Sequence, residues 1–124
     1  MLIEIESQNG VCILCLKGQF VAATDPDYLR SKTDDIKIGD YRKMLVDLSE
    51  VSSICSTVIG FVVDLYTSIT KKADGRFILA GANARVRAVL DLTRLSTVIP
   101  LAADTASAMA ALRGESPPAL AASR

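Results

Sequence analysis

Residues 44–72 read MLVDLSEVSSICSTVIGFVVDLYTSITKK, and two hydrophobic periods meet inside them. Met44 to Leu48 is a short apolar run ending in Asp47-Leu48-Ser49, the pattern of a buried strand closed by turn-forming side chains. From about Thr57 to Lys72 the period changes. Val58, Ile59, Val62, Leu65, Tyr66 and Ile69 recur at helical spacing and predict a helix with a wide buried stripe. Lys71 and Lys72 suit its C-terminal end, where cations complement the helix dipole. Between the two periods lie Ser52, Ser53, Cys55, Ser56 and Thr57. Ser53 and Ser56 both qualify as the helix cap, a role worth ~1 kcal/mol. Asp74-Gly75 then makes a turn, and Arg76 to Ala80 is the next strand.

Strand, helix and strand in that order define a crossover unit, and the flanking segments extend it. Leu2 to Glu6 alternates Ile3 and Ile5 with Glu4 and Glu6, as a half-exposed strand does. Gln8-Asn9-Gly10 is a turn into Val11 to Lys17, a more buried strand, and the two form a hairpin. Gly18 to Ala23 reads as a loop. Thr24 or Asp25 caps a first helix with Pro26 in its first turn, running to about Lys37 and stopping before Gly39. Leu29 and Ile36 are its only strong apolar positions, so it belongs on the surface. Gly81-Ala82-Asn83 opens a shorter helix with Val86, Val89 and Leu90 on its core side. Val98-Ile99 reads as a last edge strand closed by Pro100. Asp104 caps a final Ala-rich helix carrying Ala108, Met109 and Leu112. Residues 114–124, with Pro117-Pro118, read as a flexible tail. The expectation is an α/β fold: one domain over residues 1–113, with a mixed sheet that begins in a hairpin and is covered by about four helices.

Composition narrows the chemistry. The 124 residues hold fourteen basic and fourteen acidic side chains, so no global field draws the chain to nucleic acid. There is no histidine, which removes the commonest general base, the commonest metal ligand and the usual partner of a Ser or Cys nucleophile. Classical triads are excluded, enzymes that use only carboxylates or Lys pass this test, and no constellation in the sequence marks a catalytic residue, a metal site or a cofactor. Three cysteines, Cys12, Cys15 and Cys55, and no apolar stretch of about 18 residues fit a reduced, cytoplasmic protein that inserts in no membrane. Cys12 and Cys15 lie three apart in a strand and so point to opposite faces, which places both in core packing rather than in a metal site. Cys55, beside a helix start, reads as a buried structural thiol, with redox chemistry as the competing role.

Met44-Leu45-Val46-Asp47-Leu48-Ser49-Glu50-Val51 resembles the strand and D-L-S-x-V element of STAS domains, the family of bacterial anti-sigma factor antagonists. Phe77-Ile78-Leu79-Ala80-Gly81 followed by Val86-Arg87-Ala88-Val89-Leu90 is similar to that family's strand and V-R-x-x-L segment, and Ala23-Thr24, Pro26 and Leu29-Arg30 resemble its first helix start. The resemblance spans roughly residues 1 to 113. It implies a protein-binding switch without catalysis of its own, whose partner is an anti-sigma factor or serine kinase and which leaves a homodimer open. It also implies phosphorylation at Ser56, with Thr57 as the second candidate, and partner contact through Ala22, Ala23, Thr24, Asp25, Ser53, Cys55, Ser56, Thr57 and Val58. Three positions depart from the family pattern: Cys55 replaces the acid before the hydroxyl, Val58 the glycine after it, and Val21 an acid of the first loop. An uncharged patch of this kind suits the alternative, a non-phosphorylated STAS subunit of a transporter or signalling scaffold.

Overall fold

Met44, Leu45 and Val46 are each completely buried although their side chains alternate between two sides of one strand. A strand buried on both faces must lie in the middle of a covered sheet, and in the computed structural model it does. The structure describes residues 2–8, 10–19, 26–39 and 41–112. Their strands are β1 (Leu2–Gln8), β2 (Val11–Gln19), β3 (Lys43–Ser53), β4 (Arg76–Ala80) and β5 (Leu101–Ala102), in the spatial order β1-β2-β3-β4-β5. The β1–β2 pair is antiparallel and the other pairs are parallel. The helices are α1 (Pro26–Gly39), α2 (Ser56–Thr70), α3 (Ala84–Leu92) and α4 (Thr105–Leu112), with a 3-10 turn over Leu95–Thr97. The expected α/β class, opening hairpin and four helices are all present.

Two clusters divide the interior. Leu14, Leu16, Val46, Leu48, Phe77 and Leu79 face α1, α2 and α3, which contribute Leu29, Ile36, Val58, Leu65, Val86 and Leu90. On the other face Val11, Ile13, Leu45 and Ile78 pack against Ala108, Met109 and Leu112 of α4. Asp104 caps α4 by accepting from the Ser107 N–H at 2.8 Å, as its position predicts. That bond holds the Asp104 carboxyl below its ordinary value. The cap therefore contributes most above the usual carboxylate range and is lost as pH falls through the lowered value. Cys12 sits in the first cluster and Cys15 against the second, on opposite faces as the three-residue spacing requires.

Three elements differ from their sequence reading. β3 runs five residues past Leu48. Cys15 pairs with Asp47 but Lys17 with Glu50, so β3 carries an extra residue there, and a second irregularity follows at Gly18–Gln19. Such a bulge reverses the alternation, which is why Leu48 and Val51, three apart, are both buried in the same cluster and the period-2 signal fails after Leu48. Gly18, at φ +97°, belongs to this paired region rather than to a loop. The last strand lies beyond Pro100 instead of at Val98-Ile99: the Ile99 N–H donates to the Leu95 carbonyl at 2.8 Å, so Ile99 closes a turn and plugs the core. Residues 20–23 of the expected loop, the expected cap at Thr24 or Asp25, and the expected tail 114–124 lie outside the described residues.

Burial pushes the Cys12 thiol up to about 11, and burial followed by the charge of Asp47 raises Cys15. A thiol reagent applied near neutral pH should therefore leave Cys12 unmodified in the native protein and reach it only on unfolding, read by mass spectrometry with and without denaturant. Leu65→Ala, at a fully buried point of the α2 stripe, should cost about 2–5 kcal/mol in urea denaturation.

Candidate functional site

The hydroxyl-rich link between β3 and α2 lies at the C-terminal edge of the parallel strands, where α/β sheets place their sites. Ser53 ends β3, Ile54 and Cys55 connect, and α2 begins at Ser56. The cap residue is Cys55, not Ser53 or Ser56. Its backbone is extended (φ −113°, ψ 172°), its thiol makes no capping bond, and its carbonyl accepts the Ile59 N–H at 3.0 Å. Ser56 thus occupies the first helical position and Thr57 the second. The first turn of α2 carries no acidic side chain, so the positive end of the helix dipole is not offset from within the turn.

The side chains of this junction separate by depth. Ser56 is exposed, while Ser53, Cys55 and Thr57 are half-buried. Ile54 and Cys55 lean on the main core cluster. Val58, placed by its sequence position among the contact residues, is fully buried. Its side chain lies in the main core cluster beneath the turn. Ala22, Ala23, Thr24 and Asp25, the other half of the expected contact surface, and Val21 lie outside the described residues. Asp47 does not share the hydroxyls' surroundings. It borders a hollow with Cys15, Thr105 and Met109 on the α4 face, and its Oδ1 accepts the Ser49 N–H at 2.9 Å.

What holds the junction is a pair of neighbours that the residue pattern did not single out as such. Asn83 caps α3 by accepting the Val86 N–H at 2.8 Å. It also donates its Nδ2 to the Val51 carbonyl at 2.8 Å. One side chain therefore starts α3 and ties down the irregular end of β3. Gly81 holds φ +74°, and a Cβ there would meet Ser49 at 3.0 Å, so the β4–α3 turn lies directly on β3. An Asn ahead of a helix signals the cap, but the bond to Val51 depends on residues 32 positions apart and leaves no local trace.

Beside the junction, α1 and α2 leave a groove of about 460 Å³ between Arg30, Thr33 and Lys37 on one wall and Thr57, Gly60 and Asp64 on the other. Gly60 is mid-helix, and a Cβ there would meet nothing within 4 Å. Glycine in a helix interior costs about 0.5–1 kcal/mol relative to alanine, and the isolated domain gains no packing in return. Gly60→Ala should therefore raise stability by up to about 1 kcal/mol. Asn83→Ala, which removes a cap and a bond, should lower it by about 1–2 kcal/mol. Urea denaturation of the two variants measures both.

Comparison with known proteins gives four findings. The STAS domain model matches residues 3–108. An anti-sigma factor antagonist of Thermotoga maritima is 34% identical over 80 residues, covering 64% of this chain and 70% of that protein. The crystal structure of an anti-sigma factor antagonist from Thermotoga maritima superposes with a TM-score of 0.80 at 26% identity, over 90% of this chain and 94% of that one. The phosphorylated form of the Bacillus cell-fate determinant SpoIIAA shares the fold at 18% identity, with a TM-score of 0.64 over 86% of this chain and 96% of that one.

Proposed function

The chain belongs to the STAS domain family, and from that premise we propose that it is a regulatory antagonist that binds an anti-sigma factor or serine kinase in the cytoplasm. The contact surface is the β3–α2 junction, with Ser53, Cys55, Ser56 and Thr57, together with Ala22, Ala23, Thr24 and Asp25, which precede α1 in the sequence. Ser56 is its phosphorylation switch. Relatives of this chain are regulatory antagonists, and no catalytic step is assigned to it.

The observation that carries the reading is the position of Ser56: an exposed hydroxyl in the first turn of α2. A phosphate there would meet backbone N–H groups at the positive end of the helix, so the fold would tolerate it. A partner packed over the same spot would have to desolvate about two negative charges. Modification then ends binding without unfolding the domain. The fold accommodates a phosphate in SpoIIAA, which supports the same economy here.

Pull-down from the source cell compares wild type, Ser56→Ala and Ser56→Asp. The Ala variant should retain the anti-sigma factor or kinase, and the Asp variant should lose at least tenfold in affinity. Equal capture by both removes the switch.

A second reading rests on Cys55 and on the acid-free first turn of α2, which make the junction less charged than the family pattern. In that reading the domain is a non-phosphorylated subunit of a transporter or scaffold. A membrane-associated complex would co-purify, and mass spectrometry of the cellular protein would show no phosphate on Ser56.

A further inference from the structure

The end of the sheet opposite Ser56, roughly 30 Å away along β3, collects positive charge from four separate segments. Lys37 comes from the last turn of α1, Arg42 and Lys43 from the start of β3, Lys71 and Lys72 from the end of α2, and Arg76 from the start of β4. Contacts in the fold bring them together. Lys43 and Arg76 are register partners across the β3–β4 pair. The Arg42 guanidinium donates to the Ala73 carbonyl at 3.0 Å, and Lys72 Nζ donates to the Tyr41 carbonyl at 2.8 Å. Lys37, Lys71 and Lys72 border one hollow of about 330 Å³ over Ile36, Leu65 and Ile69.

Helix-end lysines alone have a structural explanation, since cations complement the negative ends of α1 and α2. That account does not reach Arg42, Lys43 and Arg76, which stand at strand starts. Six of the chain's fourteen basic residues thus share one end of a molecule with no net charge. Among the described residues, the acid in the same connecting segments is Asp74. Asp34 and Asp35 belong to the preceding turn of α1. Next to Lys37 stands Ile38, 83% exposed, the side chain that least fits a purely solvated basic face. Cations around a projecting aliphatic side chain are the combination that holds peripheral proteins to anionic lipid surfaces. We propose that this end of the domain docks on an anionic membrane surface, with Lys37, Arg42, Lys43, Lys71, Lys72 and Arg76 facing the headgroups and Ile38 entering the interface. The surface is separate from the Ser56 junction and does not depend on the antagonist reading.

Co-sedimentation of the full chain with vesicles tests it, using phosphatidylcholine alone and phosphatidylcholine with phosphatidylglycerol. Binding should occur only with the anionic vesicles and disappear as salt shortens the reach of the charges. Lys37→Glu with Lys71→Glu, both exposed positions, should lower partitioning by about tenfold or more. Lys32→Glu with Arg85→Glu makes the same change in net charge elsewhere and should lower it far less. Ile38→Ser should weaken binding while leaving its salt dependence. No binding to anionic vesicles at low salt overturns the proposal, and so does equal loss in the two charge-reversed pairs. Retention on immobilised polyglutamate without vesicle binding overturns it in favour of an acidic polypeptide. Each result leaves the Ser56 pull-down untouched, because that experiment reads the opposite end.

Discussion

The structure depends on the double-sided burial of β3. With Met44, Leu45 and Val46 all sealed from water, this strand must have a paired strand on each edge and a helical layer on each face. The hairpin, the three crossovers and α4 are the elements that meet those demands. Each buried side chain removes apolar surface from water at about 25 cal/mol per Å². The N–H and C=O groups of Met44, Leu45 and Val46 stay satisfied because β2 and β4 pair with this part of the strand on its two edges. Once β3 is fixed, the start of α2 is fixed too, because only Ile54 and Cys55 separate them.

Regular periods were legible and interruptions were not. The α2 stripe, β4, the capped start of α4 and the opposed faces of Cys12 and Cys15 each follow from one unbroken spacing in the residues. The rear half of β3 leaves no regular pattern because its bulge moves Val51 onto the face that an even count from Leu48 would deny it. Val98-Ile99 carries the apolar signal of a strand because an apolar residue pattern does not distinguish a strand residue from one that closes a turn. At the site, Ser56 was found through its resemblance to a family pattern. Its rank as first helical residue rather than cap depended on a one-residue boundary that composition does not resolve. Asn83 illustrates the deeper limit: one of its two bonds is local and readable, the other exists only after folding.

A net charge of zero concealed an uneven distribution. The lysines and arginines gathered at the end of the sheet opposite Ser56 come from four places in the chain, so no run of residues announces them. Glu4 and Glu50 bracket Lys17 at 2.7 and 3.7 Å on the outer part of the sheet, holding the Lys17 ammonium above its ordinary value chiefly through the bond to Glu4. The same arithmetic sum can thus describe a uniform surface or a polar one, and only the topology decides which.

The division of the core between three helices and one has a consequence for how the chain is made. The fully buried side chains of the first face all come from residues before 100, whereas Leu45 and Ile78 wait for Ala108, Met109 and Leu112 of an eight-residue helix. During synthesis from the amino terminus, the sheet can therefore assemble while one side of it still presents bare hydrocarbon. The nascent domain is sticky on that side until its last helix emerges. Its yield in a cell then depends on how quickly α4 arrives and on what shields Leu45 and Ile78 in the interval.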